Sequence, residues 1–199
     1  MIALINFISL LTGGVLMTAL YLMSVRPSTL EKKIGGKAFR RCGAYRLGSS
    51  AFMLTITANY VLYRWFPLPF DPFPARFPWP YWVSTAIALA IAVPSSYLMI
   101  RSILDAKSEA LVPDKSHTLY GGIYLSIRHP MALGEAPLWW CIAFLVDSPF
   151  MAVFSFLWLP VWLWWCVAEE RDLALRYGKE YEEYRGRTGM FIPRRKKAK

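Results

Sequence analysis

Charged and apolar positions along this chain separate into long blocks. Five long stretches hold no Asp, Glu, Lys or Arg, namely residues 1–25, 47–63, 77–100, 136–146 and 148–168, and the segments between them carry the charges. A helix needs about 20 apolar residues to cross about 30 Å of hydrocarbon, and four of the stretches meet that length. The remaining one is shorter, but the turn Asp147-Ser148-Pro149 joins it to the last stretch. The pattern predicts five transmembrane helices, over residues 2–25, 48–66, 79–100, 131–146 and 150–168.

The pattern becomes charged and aromatic after the last apolar stretch. Leu173, Tyr177, Tyr181 and Tyr184 recur every three or four residues, which places them on one face of a helix. This spacing predicts an amphipathic cytoplasmic C-terminal helix. No internal repeat or separate soluble domain is visible, so we expect a single membrane domain over residues 1–199. Its two parts are residues 1–100, with three transmembrane helices and a basic loop, and residues 101–199, with a helical hairpin over 131–168 and the C-terminal helix.

Composition supports an all-α, multi-pass integral membrane protein. Hydrophobic residues make up 56% of the chain, which is too apolar for an ordinary soluble domain of this size. The first apolar segment lacks a basic start and a small-residue cleavage site, so we expect it to be retained as a helix. The three cysteines have no metal-ligand spacing, and we expect neither a metal site nor a disulfide.

Basic residues predict the orientation. Of the 23 Lys and Arg residues, 21 lie on one side of a five-helix path. The positive-inside rule then places the N-terminus outside and the C-terminus in the cytoplasm. The basic loop over residues 26–46 is expected to contact anionic lipid headgroups. Because this rule accounts for the net charge of +10, no nucleic-acid partner is needed.

Two pairs of charged residues flank the predicted hairpin. Arg128 and His129 precede Pro130, which is favoured at the first position of a helix, and the free N–H groups of a first helical turn attract anions. Glu169 and Glu170 stand where the last apolar helix ends. Each pair alone is compatible with a simple helix end at the membrane surface. Together the pairs are suited to clamp a zwitterionic molecule that bears hydroxyl groups, and S-adenosylmethionine fits that description.

Several spaced motifs resemble one family of membrane enzymes. They are Gly122-x-Tyr124-x-x-x-Arg128-His129-Pro130-Met131-x-x-Gly134, then Glu169-Glu170-x-x-Leu173-x-x-x-Tyr177-Gly178-x-x-Tyr181-x-x-Tyr184, and Phe191-Ile192-Pro193. Over residues 118–193 the chain resembles the isoprenylcysteine carboxyl methyltransferases and the related phospholipid N-methyltransferases. The resemblance implies a methyltransferase that uses S-adenosylmethionine and faces the cytoplasm. The methyl group would pass to a lipophilic acceptor from the bilayer, through an amine, a thiol or a carboxylate.

The resemblance also implies a role for each matching residue. The adenine would be contacted by the backbones of Thr118 and Leu119, and the pocket would be shaped by Gly122 and Tyr124. The methionine part of the cofactor would be surrounded by Arg128, His129, Pro130 and Gly134. Its ribose or amine would be bound by Glu169 and Glu170. Ala132 departs from the family, which commonly has tyrosine there. The smaller side chain is expected to enlarge the pocket or to shift the cofactor.

Glu135 is the candidate catalytic residue. An ionisable group this far into an apolar helix is costly, so a functional role is the first hypothesis. Glu135 would deprotonate or orient the acceptor, or it would pair with Arg101 or His129.

Two other classes of function compete with this interpretation. A membrane reductase that uses NADPH on a lipid has a similar helical frame, but it needs more basic groups around a pyrophosphate. A non-enzymatic assembly subunit would use the charged pairs for structure alone.

Overall fold

The computed structural model describes residues 1–69, 72–107, 113 and 121–194. Within these residues the chain is helical, with no strand and one isolated bridge between Ile127 and Gly189. The expectation of an all-α protein is confirmed for this part of the chain. The helices are α1 (Ile2–Ser24), α2 (Pro27–Ile34), α3 (Ala38–Tyr63), α4 (Tyr81–Ala106), α5 (Pro130–Glu135), α6 (Leu138–Leu145), α7 (Pro149–Phe154), α8 (Trp158–Tyr177) and α9 (Lys179–Arg187).

Three helical segments of the described chain are long and apolar enough to cross a membrane: Ile2–Ser24, Tyr81–Ala106 and Pro149–Tyr177. The segment Pro130–Leu145 is apolar but shorter, and Pro137 divides it into α5 and α6 because proline removes a backbone donor. The remaining predicted span lies in α3, whose 26 residues include arginines and several hydroxyl and amide side chains. The predicted spans over residues 48–66 and 131–146 therefore remain predictions.

Aromatic side chains hold the helices together where the chain is most apolar. The Tyr60 ring of α3 lies 5.1 Å from the Trp139 ring of α6, and Trp139 lies 5.5 Å from the Trp158 ring of α8. Trp158 Nε1 donates a hydrogen bond of 2.9 Å to the Tyr60 hydroxyl. A Cβ on Gly14 of α1 would lie 2.8 Å from the Trp158 ring, so glycine is what lets α1 approach α8. The N-terminal helices thus pack directly against α8, the helix that carries the two glutamates.

An amphipathic region follows α8, as predicted, but it forms a separate helix. α8 ends at Tyr177 because Gly178 adopts a positive φ of 57°, and α9 begins at Lys179. Tyr181 and Tyr184 of α9 are buried against the end of α8, whereas the acidic and basic residues of α9 are exposed. The two tyrosines are thereby brought next to Glu169 and Glu170.

Candidate functional site

A polar cavity lies along α8, between Trp162 and Leu173, and includes Glu169. About 780 Å³ of space there is free of protein atoms, part of it continuous with solvent. Its walls come from α1, α3, α4, α5, α8, α9 and the segment before α5. The lining residues are Tyr21, Arg46, Ala106, Tyr124, Arg128, His129, Met131, Ala132, Glu135, Trp162, Trp165, Cys166, Glu169, Leu173, Tyr181 and Tyr184.

The two charged pairs meet on the wall of this cavity and bind each other. Arg128 Nε donates to Glu170 Oε1 at 2.7 Å, and His129 Nε2 lies 3.0 Å from the same oxygen. His129 Nδ1 lies 3.5 Å from Glu169 Oε2. The imidazole therefore bridges the two carboxylates. The sequence led us to expect two pairs open to a ligand, and the structure shows a network that is already largely paired within the protein.

Local sequence explains how Arg128 and His129 reach this position. Pro130 stands first in α5, where its missing N–H removes no helical bond, and His129 precedes it as the residue at the helix boundary. The backbone N–H groups of Arg128 and His129 do not start the helix. They donate to Gly189 O at 2.9 Å and to Met190 O at 3.1 Å. The C-terminal segment after α9 thus fixes the loop that enters α5.

Two further contacts close this end of the cavity. Arg128 Nη1 donates to the carbonyl oxygen of Thr188, and the Tyr184 hydroxyl donates to the carbonyl oxygen of Tyr124 at 2.6 Å. A Cβ on Gly189 would lie within 3 Å of the Ile192 carbonyl, so the tight turn after Thr188 requires glycine. Tyr184 is part of the sequence motifs and Gly189 is not, and the structure gives each a structural role.

Electrostatics favour a protonated His129. Burial of the ring works against the charged form, but hydrogen bonds with Cys166, Glu169 and Glu170 outweigh burial and raise the pKa of His129 well above its usual value. At neutral pH the imidazolium then neutralises part of the carboxylate charge. Burial is also the main reason why the pKa of Tyr184 rises to about 12. The tyrosine consequently stays neutral and remains a hydrogen-bond donor.

Several predicted site residues support the cavity without lining it. Gly122 has a φ of 60°, and a Cβ there would overlap the Asp105 carboxylate, which accepts a hydrogen bond of 2.8 Å from Ile123 N. A Cβ on Gly134 would lie 2.7 Å from Met99 N and from Ser95 O, so Gly134 lets α5 pack closely on α4. The roles of these two glycines in the structure are therefore in packing.

The other predicted residues divide into three groups. Tyr124, Arg128, His129, Glu135 and Glu169 line the cavity. Pro130 and Glu170 do not line it; Pro130 is fully buried, and Glu170 lies behind the wall and holds Arg128 and His129. Thr118 and Leu119 lie outside the described residues. Ala132, the departure from the family pattern, is itself a lining residue.

Glu135 lines the cavity from α5. It is six residues beyond His129 along α5, which is about 9 Å of helix rise. The sequence left open whether it pairs with Arg101 or His129. Arg101 Nε instead pairs with Asp105 Oδ2 at 3.2 Å, and His129 binds Glu169 and Glu170. Among the described residues, Glu135 has neither a hydrogen bond nor an ion pair.

The N-terminal half of the chain contributes residues that the sequence did not identify. Tyr21 of α1 stacks on Trp165 of α8 with 4.2 Å between ring centroids, and Arg46 of α3 reaches the same cavity. The pattern offered one weak signal for Arg46, since it stands at the boundary between a charged and an apolar segment. That signal fits a surface anchor equally well. The other lining residues that were not predicted are Ala106, Met131, Trp162, Trp165, Cys166, Leu173, Tyr181 and Tyr184.

Comparison with known proteins gives one match. Residues 83–180 match the sequence model of the family described as phospholipid methyltransferase. This segment contains α4 from its third residue onward, the whole of α5, α6, α7 and α8, and the four residues Arg128, His129, Glu169 and Glu170. The match confirms the resemblance to membrane methyltransferases that the motif residues indicated. No curated protein and no solved structure matches the chain.

Proposed function

We propose that this chain, which matches the phospholipid methyltransferase family over residues 83–180, is an S-adenosylmethionine-dependent methyltransferase acting on a lipophilic acceptor at the membrane–cytoplasm interface. The observation that carries the proposal is the cavity along α8. A buried histidine on its wall bridges two adjacent glutamates within the matched segment, and four tyrosines line the same cavity. A purely structural helix end has no need of such a cavity.

The residues present fit this cofactor. The cavity combines a few charged and hydroxyl groups with aromatic walls, as sites for small polar molecules do. Glu169 is suited to accept hydrogen bonds from ribose hydroxyls or from an ammonium group, and Arg46 supplies a cation for a carboxylate. Trp165 and Tyr21 offer flat apolar faces. Thr118 and Leu119 keep their proposed role at the adenine, in a part of the chain outside the described residues.

The main contribution of the chain to this reaction is to position the cofactor and the acceptor. The bound cofactor supplies a methyl group already activated by its positive sulfur. His129 and Arg128 hold Glu170 in place and thereby fix the end of α8, so that Glu169 keeps one orientation toward the cavity. The buried walls exclude water and align the acceptor with the donor, which is the largest contribution available to such a transfer. Glu135, the proposed catalytic residue, takes the proton of an acceptor that must lose one.

Topology is part of the same proposal. Five spans with the N-terminus outside place α2, the end of α8 and α9 in the cytoplasm, where 21 of the 23 basic residues would lie. The cofactor would arrive from the cytoplasm and the acceptor from the bilayer. The exposed basic residues of α2 would contact anionic lipid headgroups.

Isothermal titration with S-adenosylhomocysteine tests the cofactor assignment. We expect saturable binding by the purified protein and binding at least tenfold weaker for Glu169→Ala and His129→Ala. Glu183→Ala, which removes an exposed acid of α9, is the matched control and should bind as the wild type does. Failure of the folded wild-type protein to bind, or equal binding by all variants, would rule out the assignment. Displacement of the ligand by NADPH would favour the reductase instead.

A further inference from the structure

A second cavity lies at the far end of α3, away from the cavity that Glu169 lines. About 520 Å³ of space there is free of protein atoms, part of it continuous with solvent. Its walls come from the end of α3, from residues 74–76 and from the turn between α6 and α7. Arg64 in its wall follows Arg46 of the first cavity by 18 residues, about 27 Å of helix rise. That separation is close to the hydrocarbon thickness of a membrane, about 30 Å.

Two arginines converge on this second cavity. Arg64 and Arg76 are the only Lys or Arg residues between positions 47 and 100, and both line it. The hydroxyl-bearing side chains of Tyr63 and Ser148 stand in the same wall. Guanidinium groups bind phosphate through paired N–H donors, and hydroxyl groups add further hydrogen bonds. The arginine cavity therefore has the composition of a phosphate site.

The acid beside the arginine cavity neutralises it only in part. Arg64 Nη1 lies 3.9 Å from Asp147 Oδ2, a distance longer than a hydrogen bond. Asp147 is buried and accepts a hydrogen bond of 3.4 Å from the Ser84 hydroxyl at its other oxygen. Arg76 is exposed and forms no ion pair with any residue that the structure describes. Two cations thus face one carboxylate in this part of the described chain, and a bound anion would balance the charge.

We propose that Arg64 and Arg76 bind the phosphate group of a phospholipid at the membrane surface opposite the first cavity. The placement in the bilayer rests on the proposed topology, in which α3 crosses the membrane, and not on the methyltransferase activity. Trp65, next to Arg64, is exposed, and tryptophans at that level are typical of the headgroup region, which favours a lipid over a free ion. The phosphate ties residues 74–76 to the end of α3. At about 27 Å from the first cavity, the bound lipid is a structural ligand and not the methyl acceptor.

Native mass spectrometry of the full chain in a nonionic detergent tests this site. Dioctanoylphosphatidylglycerol supplies the phosphate, and dioctanoylglycerol, which has the same tails without it, is the matched ligand. We expect the wild type to retain the phosphatidylglycerol, and the double variant Arg64→Gln/Arg76→Gln to bind it with a Kd raised about tenfold or more. Arg185→Gln/Arg187→Gln removes the same charge from exposed positions of α9 and should leave that Kd unchanged. Binding of dioctanoylglycerol should not differ among the three proteins.

Several outcomes would overturn the proposal. An unchanged Kd in Arg64→Gln/Arg76→Gln, or an equal rise in the α9 variant, would show that the two arginines form no specific site. Displacement of the lipid by an equal concentration of inorganic phosphate would assign the cavity to the free ion. Binding that appears only in Asp71→Asn would show that a carboxylate of the chain itself occupies the arginines.

A charge-conserving variant guards against a folding defect. Arg64→Lys/Arg76→Lys keeps both cations but loses the paired donors, so it should bind phosphatidylglycerol more tightly than the glutamine variant and less tightly than the wild type. Loss of binding to the same extent in both double variants would contradict the role of charge. The measurement contains no S-adenosylmethionine, so the methyltransferase function stands or falls separately.

Discussion

Removal of the Glu170 side chain should destabilise the protein far more than removal of an exposed glutamate. Glu170 Oε1 is the common partner of Arg128 and His129, and the Arg128 and Glu170 side chains are only 9% and 13% exposed. Glu170→Ala leaves a guanidinium and an imidazolium buried without this counter-ion. Breaking a buried ion pair on one side costs about 3–5 kcal/mol, because the remaining charge is left uncompensated.

The chain supplies a matched control for this change. Glu182 also pairs with an arginine, Arg185, at 3.4 Å, but these side chains are 54% and 48% exposed. An exposed pair of this kind contributes about 1 kcal/mol or less, so Glu182→Ala should be nearly neutral. Denaturant titration of the two variants and the wild type, followed by circular dichroism in one detergent, gives the free energies of unfolding. Equal losses for Glu170→Ala and Glu182→Ala would refute the reasoning that burial makes the network strong.

Three further predictions follow from the structure. His129→Gln should destabilise the protein most at low pH. Because the pKa of His129 is raised in the folded protein, its stabilisation is complete below the unfolded pKa of about 6.5 and is lost as pH rises through the folded pKa. The difference in unfolding midpoint between the variant and the wild type should therefore narrow between neutral and alkaline pH, and a constant difference would contradict this. Gly134→Ala should lower the free energy of unfolding by about 1–3 kcal/mol, because the added Cβ overpacks against α4. Gly186→Ala, where a Cβ meets nothing within 4 Å, should leave thermal stability unchanged or raise it. Equal effects of the two substitutions on thermal unfolding would be evidence against a close α4–α5 contact. Asp172→Ala should speed protease cleavage within α2, because Asp172 accepts hydrogen bonds from Ser28 N at 2.9 Å and from Thr29 N at 2.8 Å. An unchanged cleavage rate would show that these hydrogen bonds do not stabilise α2.

The sequence was most informative where the physical constraint is local. Long charge-free stretches predict helices, because a helix pairs all the backbone polar groups of an apolar segment that crosses a membrane. The helices α1, α4 and α8 follow this pattern. Pro130 at the start of α5 was likewise marked by its backbone preference, whereas the helix break at Gly178, between Tyr177 and Tyr181, was not predicted.

The sequence was less informative where the contact is tertiary. Nothing in the spacing of Arg128 and Glu170 told whether they would face a ligand or each other, because both arrangements satisfy the same charges. Tyr21 and Arg46 come from helices far from the motif region and reach the cavity only through the packing of α1 and α3 against α8. Gly134 resembles a cofactor residue in the motif, yet its neighbours are the backbone atoms of α4.

The central claim is that this chain moves a methyl group from S-adenosylmethionine to a lipophilic molecule. The most direct test reconstitutes the full chain with the lipid extract of its own expression host and supplies S-adenosylmethionine with a radiolabelled methyl group. We predict that label enters the organic phase in proportion to protein and time, and that Glu169→Ala abolishes this transfer while Glu183→Ala preserves it. Label that stays in the aqueous phase with folded, cofactor-binding wild-type protein would contradict the claim.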